Sequence, residues 1–112
     1  MTLEVADSVK YTFGPAAPRN GLTTAQARRR AVRAYQDGYE ALELRLYEQA
    51  EVKYREAVLY DGGEAKYHGA LGALLLKRGK LAAAEAALSA AVLLDTENAE
   101  YRKLLTEARS RP

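Results

Sequence analysis

The sequence predicts an all-α fold: two helical hairpins, a capping helix and an extended N-terminal arm. Three observations lead there. One fixed offset lays the chain on itself, carrying Gly38 onto Gly72 and Tyr67 onto Tyr101. Apolar and small residues recur at helical spacing across residues 22–112, which form the predicted helical domain. Short breaks rich in Gly and Asp separate these stretches where helices must end.

Length and composition agree. The 112 residues suit one small domain, and 48% hydrophobic with 29% charged residues is globular composition. With no cysteine, disulfides and thiol chemistry are excluded, and the single histidine, His68, leaves no histidine pair for a metal. No apolar run approaches the roughly 18 residues of a membrane span, so no transmembrane segment is expected. Residues 1–13 lack the basic start and apolar block of a secretory signal, and a cytoplasmic location is expected. The net charge of +2 does not announce a nucleic-acid ligand, and none is expected.

The repeat orders the chain. Leu59, Asp61, Ala65 and Tyr67 fall on Leu93, Asp95, Ala99 and Tyr101. Ala57-Val58 falls on Ala91-Val92, Gly38 on Gly72 and Ala50 on Ala84. A plain bundle of alanine-rich hairpins has no reason to keep such a register.

The first helix opens at Thr23-Thr24-Ala25-Gln26, a threonine cap with glutamine three residues on, and runs to about Leu44. The second, Tyr47 to Tyr60, sets Tyr47, Ala50, Tyr54, Ala57 and Val58 on one stripe, and Asp61-Gly62-Gly63 stops it. The third runs from about Glu64 to Lys77 and ends at Arg78-Gly79. The fourth, Leu81 to Leu94, is rich in alanine, the best helix former, and Asp95-Thr96 breaks it. The fifth, about Glu97 to Arg109, has an apolar stripe of Tyr101, Leu104, Leu105 and Ala108 opposite Glu100, Arg102, Lys103 and Glu107. Such a helix suits the end of a stack, apolar inside and charged outside.

These residues resemble the tetratricopeptide repeat family, whose period of about 34 residues is the one found here. The family's pattern has a small residue midway along the first helix of a unit, then small, aromatic and small residues spaced along the second. Gly38, Ala50, Tyr54 and Ala57 match it in a first unit, residues 31–64. Leu71-Gly72, Ala84, Leu88 and Ala91 match in a second, residues 65–98, with 99–110 as a partial third that caps the stack. Asp37 departs from an apolar position of the pattern, Arg45 from a glycine, and Gly62 and Thr96 from proline.

The resemblance implies a concave groove lined by the first helix of each unit. Carried onto this chain, it consists of Tyr35, Gln36, Tyr39, Leu42 and Glu43, then Lys66, Gly69, Ala70, Ala73, Leu76 and Lys77, then Lys103, Leu104 and Glu107. Tyr35, Tyr39, Ala70 and Leu104 stand where family members that grip a terminal carboxylate carry basic and amide side chains, so that kind of clamp is not expected. The implied function is non-catalytic: an adaptor or small chaperone-like module that binds an apolar peptide or helix of a protein partner.

Residues 1–21 stand outside the repeat. Leu3, Val5, Val9, Tyr11 and Phe13 alternate with polar or small residues, as in a half-buried strand, before the Pro/Gly linker of residues 14–21. This arm is a tail, lies on the groove, or pairs with a second copy in a homodimer. The last would make the chain a self-assembling structural protein.

Nothing in the sequence assembles catalysis or a cofactor or metal site. His68 has no sequence-near nucleophile, and the pairs Glu40 with Glu43 and Glu48 with Glu51 read as solvated helix faces. Arg28, Arg29, Arg30 and Arg33 form one basic cluster near a helix start, either a solubilising face or a patch for an anionic partner. Tyr35 and Tyr39, four apart, share a helix face.

Overall fold

A computed structural model describes residues 21–111. The described residues form five α-helices: α1 Thr24–Glu43, α2 Tyr47–Tyr60, α3 Ala65–Lys77, α4 Leu81–Leu94 and α5 Ala99–Ser110. Among the described residues there is no strand. The alternating arm, with Leu3, Val5, Val9, Tyr11 and Phe13, lies outside the described residues.

Helix α1 starts where the threonine cap places it. Thr23 Oγ1 accepts from the Gln26 amide at 3.1 Å, and Gln26 Oε1 accepts from the Thr23 amide at 2.8 Å. Two otherwise orphaned donors are thereby satisfied. The buried stripe of α1 is Ala27, Ala31, Ala34, Gly38 and Ala41, so its backbone can approach α2 closely.

The second half of the structure repeats the first. The offset that carries Gly38 onto Gly72 also carries both bounds of α2 onto those of α4, and the start of α3 onto that of α5. The turns recur too. Leu46 N–H donates to Ala41 C=O and Arg45 N–H to Leu42 C=O; Lys80 N–H donates to Leu75 C=O and Gly79 N–H to Leu76 C=O. Both are Schellman closures, which need a left-handed residue after the helix. Gly79 meets that need at φ 77°, whereas Arg45 holds φ 62° with a full side chain.

Packing within each hairpin follows the same register. A Cβ added to Gly38 would lie 2.7 Å from the Tyr54 ring, and one added to Gly72 would lie 2.5 Å from Leu88 Cγ. The close neighbour of Gly72 is therefore Leu88, one turn beyond the fully buried Ala84. Helix α1 packs on α2, α2 on α3, α3 on α4, α4 on α5, and α5 also touches α3. One core cluster joins Tyr54, Leu71, Leu74, Leu75, Leu88 and Leu105; a smaller one joins Ala31, Ala34, Ala57 and Tyr67.

The expectation that Glu51 belongs to a solvated face is corrected. Glu51 is only 8% exposed. Its carboxylate accepts from Arg55 at 3.0 Å on α2, from Arg78 at 2.7 Å and from Lys80 at 3.1 Å in the α3–α4 turn. It thus ties the first hairpin to the second. Burial pushes its carboxyl up, but hydrogen bonds from Lys80, Arg55 and Arg78 win and hold it below the ordinary value.

Helix α5 begins at Ala99, two residues after the sequence expectation, because the Asn98 side chain caps it by accepting from the Tyr101 amide at 3.1 Å. Leu105 and Ala108 are buried while Glu100, Arg102 and Lys103 stay in solvent. Among the described residues no helix is long and apolar enough to cross a membrane.

Candidate functional site: a tyrosine-walled pocket between the first and third helices

A pocket of about 290 Å³ opens between α1, α2 and α3. Tyr35, Tyr39 and Leu42 form its α1 wall, Ala70, Ala73 and Leu74 its α3 wall, with Tyr54 and Lys77 completing it. The α1 wall is aromatic and the facing wall small, so space remains between two helices whose flanks are joined through the core.

Tyr35 is half-buried because two other tyrosines support it. Its ring centroid lies 5.7 Å from that of Tyr54 and 5.2 Å from that of Tyr67, both tilted, at spacings where aromatic pairs attract. Lys66 Nζ sits 5.6 Å from the Tyr35 ring centroid, within cation–π range. Tyr39 has no such support and is 52% exposed. The two tyrosines differ in kind: one is a fixed floor, the other a free side chain at the mouth. Beneath them, burial and then the neighbouring Tyr35 and Tyr39 push the Tyr54 phenol up to about 12. Lys77 leans toward Tyr47, its Nζ 5.7 Å from that ring centroid.

Of the residues expected to line a groove, Tyr35, Tyr39, Leu42, Ala70, Ala73 and Lys77 come together here. Two others are corrected. Gly69 is buried because the Tyr101 ring of α5 lies over it, its Cζ 2.8 Å from where a Cβ would stand. Leu76 is 4% exposed and belongs to the core, where Leu105 and Ala108 of α5 join the same cluster. Gln36, Lys66 and Lys103 are exposed and do not line the pocket. Tyr54 and Leu74 are core residues, one edge of each also forming pocket floor.

The arginine cluster spans two neighbouring clefts on α1. Arg29, Arg30 and Arg33 line a cleft of about 440 Å³ with Leu22 and Gln26. Arg28 borders another with Val32 and Gln36, and Arg29 and Arg33 line that one too. Arg30 also lies over the Tyr60 ring at 6.0 Å. Beside these, Asp37, Glu40, Leu44, Leu46 and Val52 border a cleft of about 590 Å³ on the edge of the first hairpin. Sequence reasoning missed it. The available signal was the departure at Asp37, whose counterpart in the second unit is the buried Leu71.

His68 does structural work: its Nε2–H donates to the Gly62 carbonyl at 2.9 Å, bracing the α2–α3 turn. Among the described residues no three His, Asp or Glu side chains gather as metal ligands would. A scan of protein-family models finds no match to the chain, and no curated protein is similar to it at a significant level.

Proposed function

We propose that the chain is a tetratricopeptide-like interaction module that takes an apolar peptide or helix of a protein partner in the pocket between α1 and α3. The carrying observation is the pairing of Tyr35, Tyr39 and Leu42 with the small residues Ala70 and Ala73 across about 290 Å³ of open space. Such a site offers a tyrosine surface with few rotatable bonds and room for one or two apolar side chains of a ligand. Lys77 at its border is the charge nearest the ligand, and Lys66 stands over Tyr35. The recurrence of helix bounds, turns and glycine contacts at one offset supports the repeat reading.

Selection from a displayed random-peptide library against the full chain tests this. The expected ligands are apolar at their centre, and Tyr39→Ala weakens them about tenfold, as truncation of an interface tyrosine does. Val52→Ser, on the opposite edge, leaves them unchanged. Selected peptides that bind the Tyr39→Ala protein as well as the original overturn the site.

A further inference from the structure

We propose that the chain forms a two-fold dimer through the outer edge of α1, with a second copy of the same helix lying antiparallel against it.

Arg29, Arg33, Asp37, Glu40 and Leu44 follow one another at helical spacing, along the edge of α1 opposite Tyr35 and Leu42. Their charges are segregated. The first half of the edge is basic, where Arg29, Arg30 and Arg33 line one cleft. The second half is acidic, where Asp37 and Glu40 border the next cleft, across from Lys53 of α2, which is itself paired with Glu56. An isologous contact places each residue against a different residue of the same surface, and the exchange is reciprocal. In the antiparallel arrangement Arg33 meets Asp37 of the second copy and Arg29 meets its Glu40, and each pair occurs twice. No other partner needs to be supplied for this edge to be matched.

Two further facts favour a second copy. The order of charge runs against the helix's own dipole: α1 has no acidic residue in its first turn and no basic residue in its last. Arginines near the positive end and carboxylates toward the negative end are mildly unfavourable in an isolated helix. An antiparallel neighbour reverses that, bringing opposite charge and the opposite dipole alongside. Second, the edge carries apolar surface. Leu44 is 65% exposed, Leu46 41% and Val52 53%. In the second hairpin the positions equivalent to Arg33, Asp37 and Glu40 are Tyr67, Leu71 and Leu74, all buried under the first hairpin. This flank is therefore the one through which helical units stack, and in the first hairpin no described helix covers it. The proposal does not depend on the peptide pocket, which lies on the other side of α1.

Sedimentation of the full chain over a range of concentrations, with paired charge reversals, decides the matter. The original chain is expected to dimerise, less tightly as salt rises from about 50 to 500 mM. Arg29→Glu with Arg33→Glu gives positions 29, 33, 37 and 40 one negative sign and weakens the dimer tenfold or more. Asp37→Arg with Glu40→Arg gives them one positive sign and does the same. Mixing these two proteins restores a dimer containing one of each, and so does combining all four changes in one chain. Circular dichroism verifies that each variant keeps its helices. A monomer at every concentration overturns the proposal and leaves the edge as a charged, solvated end of the stack. So does a dimer indifferent to the reversals, or one that mixing fails to restore.

Discussion

Tyr54 fills the space that the missing side chain of Gly38 leaves: a Cβ on Gly38 would stand 2.7 Å from both Cδ1 and Cε1 of the ring. Tyr54 is 2% exposed and also supports Tyr35, so the contact that closes the first hairpin also sets the floor of the pocket. Gly72 and Leu88 stand in the same relation in the second hairpin.

Gly38→Ala is expected to destabilise the protein. Alanine gains about 1 kcal/mol of helix propensity over glycine. Forcing the Tyr54 ring aside costs roughly 1–3 kcal/mol and outweighs it, because the ring is 2% exposed and packed into the core cluster along all but its pocket edge. Gly72→Ala behaves alike. Gly69→Ala costs less, since the Tyr101 ring over it is half-exposed and can swing outward. Thermal melts compare the three, with about 4–8 °C per kcal/mol for a domain of this size. Equal effects at Gly38 and Gly69 would contradict this packing.

Arg45→Gly is expected to stabilise. Arg45 holds φ 62°, a conformation costing an L-residue about 1 kcal/mol or more, and the turn it closes is the one Gly79 closes without strain. Glycine's larger entropy loss on folding returns part of the gain, leaving a few tenths to about 1 kcal/mol. The converse change, Gly79→Ala, lowers stability by a similar amount. Denaturant titration of both variants measures the two signs, and a destabilised Arg45→Gly protein would show that the arginine side chain contributes something the turn geometry does not reveal.

Glu51 gives the protein an acid-sensitive joint. Its carboxyl is held below the usual value in the folded state, so its ionised form stabilises the fold above the unfolded pKa near 4.5 and that contribution fades as pH falls through the folded value. Stability should drop below about pH 4.5, and Glu51→Gln should flatten that fall. At neutral pH, Glu51→Ala strands the charges of Arg78 and Lys80 and costs about 1–3 kcal/mol, tempered by the exposure of Arg55 and Lys80. Urea midpoints from pH 7 to pH 3 follow both effects; an acid limb as steep in Glu51→Gln as in the original rules this joint out.

Tyr54 acts at the other extreme. Its phenol is raised to about 12 in the fold, against an ordinary 10.0, so the unfolded chain ionises first. Its neutral form therefore stabilises below pH 10 and that support is lost between pH 10 and about 12. Ultraviolet titration of tyrosinate should show a late step that Tyr54→Phe removes. If all tyrosines ionise together while the protein is still folded, the ring is not buried as described.

Much of this architecture is legible in the sequence. The bounds of α2 and α4 follow from the stripes around Tyr54 and Leu88, and the α1 start from Thr23 and Gln26, because caps, stops and helical periodicity are local. The repeat pairs Gly38 with Gly72 and Arg45 with Gly79, which locates both close approaches and both turns. The spacing of Tyr35 and Tyr39 likewise puts them on one face.

The rest depended on which flank of each helix another helix covers, and that is set by the angle at which hairpins stack, to which no single segment is sensitive. Leu42 and Leu76 hold the same place in the repeat, yet Leu42 borders a pocket while Leu76 is core beneath α5. Tyr35 and Gly69 are likewise equivalent, but the tyrosine rests on Tyr67 whereas the glycine is roofed by Tyr101. Glu51 and Glu48 read alike along α2, and only the arrival of the α3–α4 turn, with Arg78 and Lys80, separates a buried carboxylate from an exposed one. Local sequence determined the helices and their register. Contacts between residues far apart in the chain, as from Glu51 to Arg78 and from Leu76 to Arg111, decided which side chains meet solvent, because burial is a property of two surfaces rather than one.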